Sequence, residues 1–197
     1  MTRRRRTRIG ILGGTFNPIH LGHLLIAQDA VEAAKLDRVL FIPTANPPHK
    51  PLAGNTDARH RLRMVKLAID GDQRFAADGL EIRRGGKSYS VDTLAQLRER
   101  FPSADFYFIL GADSLDELHL WKEARRLVKL CRFLAVTRPG YKGHPSRLPG
   151  LRYQLLNVHP CGIASREIRE RVARGSSIRY LVPEPVVRYI QRHKLYQ

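Results

Sequence analysis

Two histidines, His20 and His23, stand three residues apart at the end of the stretch 13-GGTFNPIHLGH-23, which also carries Gly13, Gly14 and Thr15. At the first turn of a helix an imidazole can donate to a phosphate oxygen, and the positive end of the helix dipole favours an anion there. The paired glycines suit the same use, because missing side chains let backbone N–H groups approach an anion closely. They suit a tight, ligand-free turn equally well. Two standard phosphate motifs are missing: the chain has no G-x-x-x-x-G-K-[ST] loop and no G-x-G-x-x-G, so neither a P-loop ATPase nor a dinucleotide oxidoreductase is supported. Zinc is a poor match for the histidines, since a zinc site needs three or four protein ligands. His49 and His60 are isolated, and Cys131 and Cys161 lie more than a hundred residues away.

The elements that must position these residues alternate between short apolar runs and helix-period segments. Ile9–Leu12 reads as a first strand, followed by a helix over 21–36 whose buried face is Leu24, Leu25, Ala27, Val31 and Ala34. Val39–Pro43 is a second strand, and Asp57–Ile69 a second helix after a proline-rich loop. A weaker strand follows Phe75, and Ser90 is placed to cap a helix running to Arg100. The segment 105-DFYFILG-111 is the strongest strand, bounded by Pro102 and Gly111. Helix in one or two pieces over 115–128, a strand at 132–137, a loop or flap over 138–151 and a possible strand at 152–158 come next. Helices at 165–173 and 183–192 complete the chain. Nearly continuous apolar strands in a βαβ rhythm are what a parallel sheet covered by helices on both faces requires. In such α/β sheets a ligand binds beyond the carboxyl ends of the strands, which is where Gly13 and Gly14 fall.

Composition sets the class. The 197 residues suffice for one well-buried core, so 9–197 is expected to be a single domain behind a flexible basic tail at 1–8. Lys and Arg number 35 against 18 Asp and Glu, a net charge of +17 that concentrates phosphates around the protein without distinguishing a nucleotide from a nucleic acid. No segment approaches the roughly 18 apolar residues of a membrane span. Two cysteines, no Cys-x-x-Cys pair and no signal-like apolar region point to a reduced, cytoplasmic setting.

With these residues in view, the chain resembles the bacterial nicotinate-nucleotide adenylyltransferases of the nucleotidylyltransferase superfamily over nearly everything from Ile9 to Tyr196. The likeness rests on 13-GGTFNPIHLGH-23 with its H-x-G-H core and on 163-IASREIR-169. Within the superfamily it rests on 43-PTANPPHK-50, 87-KSYSVDTL-94, 111-GADSL-115, Trp121 and 137-TRPG-140. The resemblance implies a Rossmann-like nucleotidylyltransferase fold with a small C-terminal helical part. It also implies transfer of an adenylyl group from ATP to nicotinate mononucleotide, by in-line attack without a covalent intermediate and with Mg²⁺ carried mainly on the phosphates.

The resemblance also implies roles. Gly13, Gly14 and Thr15 would meet phosphates, with His20 and His23 on those of ATP; Thr15 would also approach the mononucleotide. His49, Lys50 and Arg138 would meet the mononucleotide phosphate. Ser88, Tyr89, Ser90 and Trp121 would form the pyridine pocket, and Gly111 and Asp113 would position the nucleotide. Ser165, Arg166 and Arg169 would hold ATP phosphates.

The chain departs from the family pattern at several positions. Asn17 replaces the common aspartate, Ser90 a threonine, Ala164 a serine and Arg166 a threonine. With these hydroxyls lost, the late motif implies an altered phosphate network for the same reaction. Phosphopantetheine adenylyltransferase is the nearest rival, yet it lacks the combination of 43-PTANPPHK-50 and 87-KSYSVDTL-94. A basic nucleic-acid-binding protein is the rival from another class, and no finger, basic aromatic sheet or helix-turn-helix supports it. Neither a specific nucleic acid nor a membrane is expected as partner, and a homo-oligomer is left open.

Overall fold

The computed structural model describes residues 5–47, 56–137, 143–159 and 161–197. Among these, six strands form one wholly parallel sheet: β1 Arg8–Gly14, β2 Arg38–Pro43, β3 Phe75–Ala77, β4 Asp105–Gly111, β5 Arg132–Thr137 and β6 Tyr153–Asn157. Their order is β3-β2-β1-β4-β5-β6. The chain thus winds one way from β1 to β3, then crosses back to place β4 on the other side of β1. That reversal opens a crevice at the carboxyl ends of β1 and β4, the place where open α/β sheets bind ligands.

Side-chain alternation along the strands divides the core in two. Leu12, Val39, Phe41, Tyr107 and Ile109 face one layer with α1 (Leu21–Ala34), α2 (Ala58–Ala68), α7 (Ser165–Ala173) and α8 (Glu184–Arg192). Ile9, Ile11, Leu40, Ile42, Phe106, Phe108 and Leu110 face the other with α4 (Ser90–Arg100) and α6 (Ala124–Leu130). Both faces are covered, which explains why the strands lack a polar alternation.

Local details differ from the sequence reading for identifiable reasons. The first strand begins at Arg8, and Arg5 and Arg6 ahead of it pair with Asp37 and Asp105, so part of the basic tail is bound to the edge of the domain. The first helix stops at Ala34, because Lys35 turns left-handed and Leu36 packs into the core. Leu24 and Leu25 are only partly buried, so its buried face is made by Ala27, Ala30, Val31 and Ala34. Tyr89 is the N-cap of α4 and Ser90 its first residue, with no side-chain cap. A short α3 (Leu80–Arg84) goes unanticipated because five residues are too few to show periodicity. The segment expected to be helical over 115–128 is α5 (Ala112–Asp116), a 3₁₀ turn at Leu118–Leu120 and α6, broken where Glu123 adopts φ of 49°.

Candidate active site

The crevice between β1 and β4 is floored by the residues that end those strands. Gly13 and Thr15 are exposed and Gly14 is half-exposed, so the backbone at the end of β1 is open to solvent. A Cβ on Gly13 would meet nothing closer than 3.8 Å, whereas one on Gly14 would press on the Phe16 ring at 3.3 Å. Of the two, only at Gly14 would an added Cβ require the Phe16 ring to give way. Across the crevice, Gly111 ends β4 with open space where its Cβ would sit, and Asp113 is exposed in the first turn of α5.

After the glycines the loop is tightly held. Phe16 is buried with φ of 47°, a conformation costly for an aromatic residue and one that concentrates at functional loops. Its ring meets the His23 ring edge-on at 5.0 Å. A cis Asn17–Pro18 peptide turns the chain into α1, where His20 is the N-cap and His23 the third helical residue. The two imidazoles lie 3.8 Å apart between centroids with planes inclined by 34°. The backbone N–H of His20 donates to Nδ1 of His23 at 3.2 Å. Nδ1 of a neutral His23 is thereby an acceptor, and its proton sits on Nε2 as a free donor.

Burial decides the charge of this pair. It lowers His20 to about 4, and it lowers His23 to about 3 with a further push from His20. Both rings are therefore neutral at pH 7 in the free protein and act as hydrogen-bond donors, not as fixed cations. Nδ1 of His20 is buried without a partner, a polar atom whose desolvation has no return within the protein.

The late motif meets the first turn directly. Ser165 donates from Oγ to the carbonyl of Pro18 at 2.8 Å, and Arg169 from Nη1 to that of Asn17 at 2.8 Å. The Tyr196 hydroxyl donates to Asn17 Oδ1 at 2.7 Å, and burial pushes that phenol up to about 12, which keeps it a donor. Arg166 instead pairs with Glu170 on the exposed side of α7 at 2.8 Å. Ala164 is the N-cap of that helix and offers no side-chain cap.

Residues expected around the pyridine are assembled by backbone contacts. The Ser88 hydroxyl accepts from the N–H of Ala45 at 3.0 Å, and the Ser88 N–H donates to Asn46 at 2.9 Å, which joins 87-KSYSVDTL-94 to the loop after β2. Trp121 is half-exposed and stands edge-on to Phe108 at 6.0 Å. Lys122 beside it lies over the Tyr89 ring at 4.4 Å, so the Trp121 and Tyr89 segments adjoin. His49, Lys50 and Arg138 lie outside the described residues.

One residue of this region escapes a reading by motif. Arg61 on α2 is wholly buried, donating to the carbonyls of Thr15 at 2.7 Å and Ala45 at 3.4 Å. It joins the loop after β1 to the loop after β2. In the sequence it is one of several arginines in 57-DARHRLRMVKLAI-69, and only its place on the apolar side of that helix could have singled it out.

A family model described as cytidylyltransferase-like matches residues 11–171. Two similar relatives, both named "Probable nicotinate-nucleotide adenylyltransferase", come from Thermus thermophilus and Synechococcus sp. The first is 46% identical over 96% of this chain and 100% of its own length. The second is 42% identical over 98% and 96%. A Plasmodium falciparum nicotinic acid mononucleotide adenylyltransferase, solved complexed with NaAD, shares the fold with a TM-score of 0.79 at 23% identity, covering 97% of this chain and 98% of that one.

Proposed function

The chain belongs to the nicotinate-nucleotide adenylyltransferase family, and from that membership we propose how its residues carry the reaction. The reaction transfers the adenylyl group of ATP to nicotinate mononucleotide, releasing pyrophosphate and forming nicotinate adenine dinucleotide in NAD biosynthesis. In our reading a 5′-phosphate oxygen of the mononucleotide attacks the α-phosphorus of ATP as the bond to the β-phosphate breaks on the opposite side. Nothing is transferred to the protein, whose contribution is alignment and electrostatics.

The observation that carries this reading is the His20–His23 pair: two neutral imidazoles in tilted contact at the start of α1, with His23 Nε2–H free to donate and His20 Nδ1 without a partner. Donors of this kind, fixed before substrate arrives, stabilise charge developing on leaving pyrophosphate without reorganising. Gly13, Gly14 and Thr15 present open backbone to the same phosphates, with Gly111 and Asp113 on the nucleotide from the other wall. Ser88, Tyr89, Ser90 and Trp121 take the pyridine ring, and His49, Lys50 and Arg138 the mononucleotide phosphate. Ser165 and Arg169 act through the loop they hold.

We take the divalent cation to be Mg²⁺ carried mainly on the phosphates of ATP. Among the described residues no group of three or more His, Cys, Asp or Glu could hold a metal ion. Mg²⁺ is commonly held by substrate phosphates and water with one or two carboxylates; when bound it neutralises phosphate charge.

His23→Ala tests the role of the pair. Turnover falls by roughly 10²-fold in a protein that remains folded, the scale of a lost electrostatic contact at a transition state. A folded variant with the parent's turnover contradicts it.

A further inference from the structure

The two cysteines have opposite surroundings. Cys131 is buried, and burial pushes its thiol up to about 12, so it is inert. Cys161 is exposed on the segment that leads into α7. That segment is held against α1 by His159, whose backbone N–H and Nδ1 both bond the Asp29 carboxylate at 2.8 Å. Gly22 shows where the thiol lies. A Cβ on Gly22 would be 3.2 Å from Cys161 Sγ and 3.1 Å from His20 Nδ1, so the sulfur and the unpartnered buried nitrogen flank one point. Cys161 is thus the exposed neighbour of the packed point at Gly22 that the buried His20 nitrogen also borders.

We propose that Cys161 is a covalent modification site through which a low-molecular-weight disulfide disables the His20–His23 site. The Cys161 sulfur, as thiolate, attacks one sulfur of the disulfide and forms a new S–S bond. The other sulfur leaves as a thiolate and takes a proton from water, so Cys161 is oxidised and half of the reagent is reduced. Gly22 closes the inner side of this sulfur, so the adduct lies on its open side, against the start of α1 and over the approach to His20. Excess thiol reverses the step. The inference rests on the placement of ATP phosphates at His20 given above.

The test treats the full chain with oxidised glutathione, following adducts by intact-protein mass spectrometry and activity by pyrophosphate release. One adduct per chain, on Cys161, is expected to lower turnover by about 10²-fold, the scale of losing an electrostatic contact at a transition state. Dithiothreitol restores the activity, and Cys161→Ser has the parent's turnover and ignores the reagent. ATP alone at ten times its Kd slows adduct formation ~10-fold, since only the free fraction reacts. A complete adduct with unchanged turnover, or equal sensitivity in Cys161→Ser, overturns the proposal. Inactivation that ATP does not slow supports the modification site and contradicts instead the placement of ATP at His20.

Discussion

Arg169 on α7 donates to the backbone carbonyl of Asn17 at 2.8 Å, in the turn that delivers His20 to the start of α1. Ser165 and Tyr196 grip the same turn, through Pro18 and the Asn17 side chain. Three donors from the late part of the chain therefore hold the two-residue bend on which the imidazole pair depends. Since Asn17 is buried, the carbonyl that Arg169 satisfies has no ready replacement in water.

Arg169→Ala is expected to lower the stability of the ligand-free protein by about 1.5–3 kcal/mol, the worth of a hydrogen bond from a charged donor. Turnover falls with it, because the histidines lose their fixed geometry. Thermal or denaturant unfolding without nucleotide checks this. A variant with unaltered ligand-free stability and impaired ATP binding would assign Arg169 to the phosphates directly.

Arg61 makes a related prediction from α2. Arg61→Met leaves the Thr15 and Ala45 carbonyls without this donor and removes the link between the loops after β1 and β2. We expect kcat/KM to fall by about 10²-fold, the cost of ångström-scale misplacement. Arg61→Lys recovers only part, since an ammonium cannot reproduce a planar fork. Steady-state kinetics on variants shown to be folded by circular dichroism decide the matter. Full recovery in the lysine variant would show that charge alone is needed there.

The histidines also set a pH dependence of stability. Their folded-state values, about 4 for His20 and about 3 for His23, lie below the ordinary 6.5. The unfolded chain therefore binds protons that the folded chain refuses. The stability associated with keeping the rings neutral is complete above pH 6.5 and is lost as pH falls towards 4 and then 3. Unfolding curves between pH 7 and 4 should be flatter for His20→Gln and His23→Gln than for the parent chain. An unchanged slope in both variants would contradict the buried-neutral assignment.

How much of this was legible in the sequence depended on how local its cause is. Three strands, β1, β2 and β4, end in glycine or proline, and β4 is read to the residue because Pro102 precedes it and Gly111 ends it. His20 and His23 fall at the start of a helix as their spacing requires. What escaped is long-range or too short for periodicity. No pattern announces that Ser165 and Arg169 grip the turn before His20, nor that one arginine among many, Arg61, is wholly buried between two loops. α3 has too few residues to reveal a period, and the tail looked free because Asp37 and Asp105, the partners of Arg5 and Arg6, are distant in sequence. The neutrality of the histidines is a property of burial and could not be read from residue type.

The central claim is adenylyl transfer to nicotinate mononucleotide, and pyrophosphate release with ATP and Mg²⁺ tests it most directly. Nicotinate mononucleotide, nicotinamide mononucleotide and phosphopantetheine are compared as acceptors under the same conditions. The account predicts rapid release with nicotinate mononucleotide and much slower release with the other two; no release with nicotinate mononucleotide, or a clear preference for phosphopantetheine, would contradict it.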